Sequence, residues 1–335
     1  MKQVGYNRFG NPSDVVEVME RPDPGPVGAD EALVAVEAAP INPADLLAMQ
    51  GRYGKELPAL PAFCGHEGVG RVIEVGSDVK HLSTGDRVSL LRVGQPTWAE
   101  RVKAPATALI PLPEGGDPLQ FAMVGANPMT AWAMLWSEFP VETGQWVIQN
   151  AGNSAVGRCV TQLATASGIG VISVVRRPEA AEDLQPSDSH HVLVDGDDLP
   201  ERVAAITGDA PPVKAFDAVA GDATCRLGRT LAESGIILNY GLLSGEPCAV
   251  RAEELVFRDV RLRGFWLARW VREQNPDDVA EMLRRLMELM HAGALRVPVE
   301  ATYTLDQARD AITHAASSRR GKILFKPDSE GAGVS

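Results

Sequence analysis

The pattern of hydrophobic and polar positions changes near residue 115. Before that point, short runs rich in β-branched residues, such as 31–38 and 68–75, are separated by clusters of proline and glycine. Short runs between turn-forming residues predict antiparallel strands. The cluster 105–118 contains four prolines and two glycines, and it predicts the end of a first, β-rich domain.

After this cluster, short apolar runs alternate with helix-length segments. A helix is predicted over 154–167, between the first two runs. Strands separated by helices form parallel sheets that are buried on both faces, so a doubly wound α/β domain is expected. The predicted strands are 145–150, 170–175, 191–194, 215–219 and 236–240.

The C-terminal part departs from this alternation. Apolar residues recur at spacings of three and four over 276–292 and predict an amphipathic helix. The run 322–325 is again strand-like, and 330–335 is expected to be a frayed tail. A chain of 335 residues is about twice the usual domain length, which predicts two domains.

The charge balance limits the partners. The chain has 44 acidic and 32 basic residues, a net charge of −12. Binding to nucleic acid or to a membrane surface needs a basic face, so neither partner is expected. No apolar run reaches the roughly 18–20 residues that span a bilayer. The N-terminus has no signal- or transit-peptide character, and a cytoplasmic location is expected.

The four cysteines are far apart in sequence, and no pair has C-x-x-C spacing. Neither a structural zinc knuckle nor a disulfide framework is therefore expected. We interpret Cys64, Cys159, Cys225 and Cys248 as reduced thiols that are mostly buried.

A glycine-rich turn follows the first strand of the predicted α/β domain. Aligned with the dinucleotide fingerprint G-x-G-x-x-G, the segment 151–157 places Gly152, Ser154 and Gly157 at the three glycine positions. The fingerprint provides a tight bend and close approach to a pyrophosphate, which the helix N-terminus then binds. Serine is small enough for this approach. The strand before the turn, and the helix and strand after it, support a dinucleotide site.

The end of the second strand indicates which dinucleotide binds. NAD-specific sites place an acid about 20 residues after the fingerprint, where it binds the ribose 2′-hydroxyl. This chain has Arg176 and Arg177 there, and the first acid is Glu179. Guanidinium groups form charge-assisted, bidentate hydrogen bonds with phosphate, so NADPH is the expected cofactor. The alternative interpretation is a solvated arginine pair at a strand end.

Seven motifs occur in an order typical of one family. They are 42–45 (NPAD), 50–54 (QGRYG), 64–68 (CGHEG), 85–88 (GDRV), 127–131 (NPMTA), 149–154 (QNAGNS) and 262–267 (LRGFWL). With them the chain resembles the medium-chain dehydrogenase/reductase superfamily, and in particular the mitochondrial-type trans-2-enoyl thioester reductases, over about residues 1–326. Many quinone reductases share some of these motifs. The resemblance implies a GroES-like catalytic domain at 1–118 and 268–335 and a Rossmann domain at 119–267.

The alcohol-dehydrogenase branch of this superfamily holds a catalytic zinc with a cysteine, a Gly-His-Glu histidine and a second cysteine or acid. In this chain Asn42 stands at the first cysteine position, although His66 and Glu67 keep the Gly-His-Glu pattern. The cysteine-rich lobe that binds structural zinc is missing from the sequence. Because a catalytic zinc needs three protein ligands, no metal is expected, and His66 is interpreted as structural.

The resemblance implies hydride addition to a C=C bond conjugated with a carbonyl. Such a reaction needs the nicotinamide near the β-carbon and an acid that protonates the α-carbon. By resemblance, Tyr53 is the proton donor and Asn42 is a second polar group that positions substrate or nicotinamide. The alternatives are packing for Tyr53 and capping of the turn before Pro43 for Asn42.

The resemblance also implies which residues line the cofactor. Trp266 is in addition a candidate wall of the acyl pocket, with core packing as the alternative. The chain departs from the resembled pattern at Gly152 and in the Arg-Arg-Pro end of its second strand, which predicts a differently shaped 2′-phosphate site. The implied residues are Asn127, Gly152, Asn153, Ser154, Ala155, Val156, Gly157, Arg176, Arg177, Tyr240, Gly241, Leu242, Leu243, Phe265, Trp266, Leu267 and Lys322.

The sequence therefore predicts an NADPH-dependent, zinc-independent reductase whose preferred substrate is a trans-2-enoyl thioester of coenzyme A or acyl carrier. Such a substrate is anionic, like the protein, so a local basic patch is needed. Candidates are Arg261, Arg263, Arg269, Arg272, Arg319 and Arg320, although the alternation of Arg261 and Arg263 is equally typical of an exposed strand face. The alternatives are a quinone or enone reductase and a non-catalytic NADPH-binding sensor or crystallin-like protein. The superfamily implies a homodimer formed through the nucleotide domains.

Overall fold

The computed structural model describes residues 1–91, 93–137 and 139–327. Contacts divide the chain into two compact units. The first unit is Met1–Gly125 with the segment that begins at Arg284, and the second unit is Ala126–Leu283. The domain boundaries predicted after residues 118 and 267 lie before the divisions after Gly125 and Leu283. The domain boundaries stay a prediction. The predicted tail 330–335 lies outside the described residues.

The helices and strands occur in the following order along the chain. The N-terminal segment contains β1 (Lys2–Tyr6), α1 (Pro12–Val15), β2 (Val16–Glu20), β3 (Glu31–Pro40), α2 (Pro43–Met49), β4 (Ala62–Phe63), β5 (Val69–Val75), β6 (Arg87–Ser89), β7 (Arg101–Pro105), β8 (Ile110–Pro111) and α3 (Pro118–Phe121). The middle segment contains α4 (Asn127–Trp136), β9 (Trp146–Asn150), α5 (Ala155–Ala166), β10 (Gly170–Val175), α6 (Pro178–Ala181), β11 (His190–Val194), α7 (Leu199–Thr207), β12 (Lys214–Asp217), α8 (Asp222–Thr230), β13 (Ile236–Asn239), α9 (Ala252–Phe257), β14 (Arg261–Gly264) and α10 (Leu267–Glu273). The C-terminal segment contains α11 (Pro276–His291), β15 (Val299–Tyr303), α12 (Ala308–Ala316) and β16 (Lys322–Phe325).

The first unit is built on short strands, as the proline- and glycine-separated runs predict. Its larger sheet has the order β15-β16-β3-β5-β6-β8, with β7 also paired to β3, and a smaller sheet has the order β2-β1-β4. All pairs are antiparallel except β15 with β16. Trp98 is fully buried in the core. Its ring packs edge-on against that of Phe325, with the ring centroids 4.9 Å apart, and its Nε1 donates a hydrogen bond to the carbonyl oxygen of Pro40.

The second unit is the predicted doubly wound domain. Its six strands are all parallel and have the order β11-β10-β9-β12-β13-β14. The five strands predicted from apolar runs are confirmed to within two residues at each end. The sixth strand, β14, is not among the strands predicted from apolar runs, because all four of its residues are exposed; it agrees with the alternative interpretation of Arg261 and Arg263 as an exposed strand face.

The expected fold class is confirmed: a Rossmann-like α/β unit and a β-rich GroES-like unit. The predicted amphipathic helix is α11, and Val279, Met282 and Leu286 are buried. None of the described helices is long and apolar enough to cross a membrane.

Candidate active site

The glycine-rich turn joins β9 to α5, and close packing requires its glycines. A Cβ atom on Gly152 would lie 2.5 Å from Cβ of Ser173, and one on Gly157 would lie 2.6 Å from the carbonyl oxygen of Gly152. Oγ of Ser154 accepts a hydrogen bond from the Gly157 N–H (3.1 Å) and caps α5. The turn therefore leads into a capped helix N-terminus, which is the arrangement that binds a pyrophosphate.

A buried chain of polar side chains supports the turn. Nε2 of Gln149 donates to the carbonyl oxygen of Gly157 (2.9 Å) and to Oγ of Ser173 (3.0 Å). The same Oγ lies 3.0 Å from Nε2 of His190, whose Nδ1 lies 2.9 Å from the carbonyl oxygen of Gln185. Burial lowers the pKa of His190, so the neutral ring is favoured. Sequence reasoning missed this chain, although polar residues inside buried runs were a usable signal.

Asp217 organises the ends of three neighbouring strands. Its carboxylate is fully buried and accepts hydrogen bonds from Nδ2 of Asn150 (2.6 Å), Oγ1 of Thr224 (2.6 Å) and Nδ2 of Asn239 (3.1 Å). Asn150, Asp217 and Asn239 end β9, β12 and β13. In open α/β sheets, dinucleotides bind at the carboxyl edge of the strands. The Asp217 network therefore holds together the strand ends at which the cofactor is expected to bind. Sequence reasoning missed this network as well.

Two predicted cofactor residues have buried polar atoms that few protein groups satisfy. Among the described residues, Nδ2 of Asn127 has no hydrogen-bond partner, and the buried hydroxyl of Tyr240 has only the side chain of Ser154 beside it. Burial raises the pKa of Tyr240 well above its ordinary value, while the Ser154 side chain close by has a weaker, opposite effect. Because an unsatisfied buried polar atom costs free energy, both atoms fit a polar ligand.

The predicted 2′-phosphate arginines follow β10 directly. Arg176 and Arg177 are both exposed. Arg158, which sequence reasoning did not single out, connects the turn with the segment beyond these arginines. Its Nε donates to the carbonyl oxygen of Asn153 (3.2 Å) and its Nη1 to that of Asp183 (3.0 Å). Burial lowers the pKa of Arg158.

The other predicted cofactor residues of the second unit lie beyond β13 and β14. A Cβ on Gly241 would lie 2.5 Å from the carbonyl oxygen of Ala218, so glycine is required there. The Phe265 N–H donates to the carbonyl oxygen of Asn239 (2.7 Å). The structure thus brings 151–157, 176–177, 240–243 and 265–267 to the carboxyl edge of one parallel sheet.

The predicted cofactor residue Lys322 lies in the first unit, on β16. Its buried ammonium donates to the carbonyl oxygen of Ile41 (2.8 Å) and to Oδ1 of Asn42. Nδ2 of Asn42 in turn donates to Oε1 of the buried Glu67 (2.8 Å). The ammonium and the carboxylate therefore fix which way the Asn42 amide points, since only its oxygen can face Lys322 and only its nitrogen can face Glu67.

Tyr53 lies in the loop after α2, near His66. Their ring centroids are 6.3 Å apart. Nδ1 of His66 lies 2.7 Å from Oδ1 of the buried Asp45. This hydrogen bond and the charge of Asp45 raise the pKa of His66, while burial opposes the shift.

A cavity of about 310 Å³ adjoins this group, in the first unit. It is lined by Tyr6, Asp45, Ala48, Pro58, Ala59, Pro61, Ala62, Phe63, Cys64 and His66. Burial raises the pKa of Tyr6 to about 12 and that of the Cys64 thiol well above its usual value, so both are neutral at pH 7.

Several arginines proposed as a basic patch for an anionic substrate are already engaged. Arg261 pairs with Asp259 (2.6 Å), and Arg269 pairs with Glu273 (2.8 Å). Arg272 lies over the ring of Trp266, 5.3 Å from its centroid. These contacts reduce the charge available for a substrate.

Comparison with known proteins decides the family. Residues 28–114 match the alcohol dehydrogenase GroES-like domain, and residues 155–288 match the family described as zinc-binding dehydrogenase. The human mitochondrial enoyl-[acyl-carrier-protein] reductase is 35% identical over 312 residues, which cover 92% of this chain and 83% of that protein. The chain belongs to the medium-chain dehydrogenase/reductase superfamily.

Solved structures of the superfamily agree in fold. A putative NADPH:quinone reductase from Bacillus thuringiensis has a TM-score of 0.87 and 31% identity, with 98% of this chain and 99% of that chain covered. A variant of the Candida tropicalis 2-enoyl thioester reductase, solved with NADP and crotonyl-CoA, has a TM-score of 0.82 and 25% identity, with coverage of 97% and 98%.

The side chains at the superfamily's zinc-ligand positions are engaged in other contacts. Asn42 holds Lys322 and Glu67, and His66 holds Asp45. Across the described ranges, no group of three or more His, Cys, Asp or Glu side chains is arranged to hold a metal ion.

Proposed function

We propose that this chain is an NADPH-dependent, zinc-independent reductase of activated C=C bonds, with a trans-2-enoyl thioester as preferred substrate. The observation that carries the cofactor assignment is the buried Nδ2 of Asn127, which has no partner among the described residues and lies at a position implied to line the dinucleotide. The similarity to enoyl reductases over nearly the whole chain supports the thioester.

The chain's own residues have distinct roles in this reaction. The N–H groups at the start of α5 bind the pyrophosphate, and Arg176 and Arg177 bind the 2′-phosphate. NADPH, when bound, supplies the hydride that adds to the β-carbon. Tyr53 donates the proton that the α-carbon receives, and Asn42, with its amide held in one orientation, positions the reacting groups.

An acceptor panel tests the reaction. NADPH oxidation is followed with crotonyl-coenzyme A, a simple quinone and a free enone, at equal acceptor concentrations. We expect the highest kcat/KM with the thioester. Preference for the quinone would support the alternative function, which the similarity to the Bacillus thuringiensis protein favours. NADPH binding without turnover on any acceptor would support a sensor or crystallin-like role.

The arginine pair tests the cofactor. Arg176→Ala with Arg177→Ala should weaken NADPH binding by about 1–3 kcal/mol per lost charge-assisted bond and leave NADH binding nearly unchanged. Nucleotide fluorescence titration measures both Kd values. Arg251→Ala, at another exposed arginine of the second unit, is the control. Equal losses for the two nucleotides would contradict the 2′-phosphate assignment.

A homodimer through the second unit is part of the proposal. β14 is exposed and pairs on one side with β13, and Leu255, Val256 and Phe257 just before it are exposed, Phe257 by 78%. An open strand edge beside apolar surface favours self-association. We expect Phe257→Glu to give monomers by light scattering, whereas Val18→Glu in the first unit leaves the dimer intact. A monomeric wild type would contradict the proposal.

The cytoplasmic location stays a prediction from the sequence.

A further inference from the structure

Tyr53, His66 and Asp45 form a series from a surface loop to a buried carboxylate. The Tyr53 and His66 rings are 6.3 Å apart at their centroids and tilted by 58°. Nδ1 of His66 lies 2.7 Å from Oδ1 of Asp45, and Oδ2 of Asp45 accepts the N–H of Asn42 (2.8 Å). With both oxygens bonded, the carboxylate is fixed, and it fixes the imidazole through Nδ1.

The His66 side chain is open to solvent, whereas its carboxylate partner is not. The side chain of His66 is 62% exposed, whereas that of Asp45 is 1% exposed. Imidazole gains and loses a proton near neutral pH. The two rings are neighbours, and one bridging water can connect a phenol with an imidazole that lies beyond direct hydrogen-bond distance.

We propose that His66 is the proton relay that restores Tyr53 after each turnover, a role that rests on the proposed function. When the α-carbon is protonated, the O–H bond of Tyr53 breaks, a C–H bond forms and a phenolate remains. The Nε2–H of the His66 imidazolium then gives its proton to the phenolate. The neutral ring then takes up one proton from the solvent, which is the proton that the overall reduction consumes, and no electrons are exchanged in either step.

The groups around His66 favour its charged form. The hydrogen bond to Asp45 and the charge of Asp45 raise the pKa of His66, Glu67 adds to this, and burial acts in the opposite direction. Across the cavity, Tyr6 and Cys64 carry no charge at pH 7. Because the relay uses the imidazolium, kcat should fall as pH rises through the pKa of His66.

The pH dependence of kcat in matched variants tests the relay. We expect His66→Asn to lower kcat at least about tenfold, part of the roughly 10²–10⁴-fold that a positioned proton donor contributes, and to remove the pH limb. Asp45→Asn keeps an oxygen for the Asn42 N–H but lowers the pKa of His66, so the limb should move to lower pH. His81→Asn removes another imidazole of the first unit, bonded to the Ala106 carbonyl, and should leave the profile unchanged.

Rescue separates a relay from a structural role. Added imidazole should restore turnover in His66→Ala, and NADPH affinity should be unchanged in every His66 variant. A wild-type pH profile in His66→Asn would overturn the relay, as would a loss in folded His66→Ala that imidazole does not restore. A wild type inactive on all three acceptors overturns the proposed function instead. If only the quinone is reduced, the thioester assignment fails. The pH dependence of kcat in the His66, Asp45 and His81 variants is then measured with the quinone, and the same results support or overturn the relay.

Discussion

Replacing Lys322 by Met should destabilise the first unit strongly. The change keeps most of the aliphatic stem and removes an ammonium that is 2% exposed. The carbonyl oxygen of Ile41 and Oδ1 of Asn42 both lose a donor, and each buried acceptor left unsatisfied costs about 1–3 kcal/mol. The carboxylate of Glu67, linked to the ammonium through Asn42, loses its support as well. We therefore expect a loss of about 2–5 kcal/mol in the free energy of unfolding.

Urea unfolding followed by tryptophan fluorescence measures this loss, since Trp98 is buried in the same unit. Lys80→Met is the matched control, because the Lys80 ammonium also donates to a carbonyl, that of Ser77, but at the surface. It should change stability by less than about 0.5 kcal/mol. Adding Glu67→Gln to Lys322→Met should recover part of the loss, since no buried charge then remains unpaired. A loss below about 1 kcal/mol in Lys322→Met would refute the reasoning.

The same variant tests the predicted contact between Lys322 and the cofactor. If the ammonium acts only on Ile41 and Asn42, the folded variant binds NADPH with an unchanged Kd. A raised Kd at conditions where the variant is fully folded indicates direct contact with the cofactor.

Two further predictions concern the nucleotide turn and the proton donor. Gly157→Ala places a Cβ 2.6 Å from a backbone oxygen that cannot move away alone, so we expect a stability loss of about 1–3 kcal/mol and weaker NADPH binding. Thermal unfolding and nucleotide titration measure the two effects. Wild-type values for both would show that the backbone of the turn can shift to accept the methyl group. Tyr53→Phe should lower kcat by roughly 10²-fold or more without raising the Kd for NADPH, and full activity in steady-state assays would remove Tyr53 from the proton-donor role.

The sequence predicted the second unit better than the details of its site. Its strands are buried on both faces and therefore read as apolar runs, so five of six were found. The fingerprint was found because its glycines are a local requirement of the turn itself. β14 has no such apolar run, because an exposed edge strand has no hydrophobic signal, and only the alternation of Arg261 and Arg263 indicated it.

The polar networks could not be predicted in the same way. Asp217 meets Asn150 and Asn239 across three strands, and these partners are separated by 67 and 22 positions in the chain. The spacing of these residues in the sequence does not predict the contacts, because the residues become neighbours only through the order of the strands in the sheet. His190 likewise reaches Ser173 only because β10 and β11 pair in parallel.

The sequence by itself determined the two-unit α/β architecture, the nucleotide turn and the arginines after the second strand. These features are local, since periodicity, glycine spacing and strand ends are read within short windows of the chain. The tertiary structure alone decided that Lys322, Asn42 and Glu67 form one buried chain, and that His66, interpreted from the sequence as structural, stands between Asp45 and Tyr53. Burial and long-range pairing set the charge and orientation of these side chains, and both arise only when distant segments pack together.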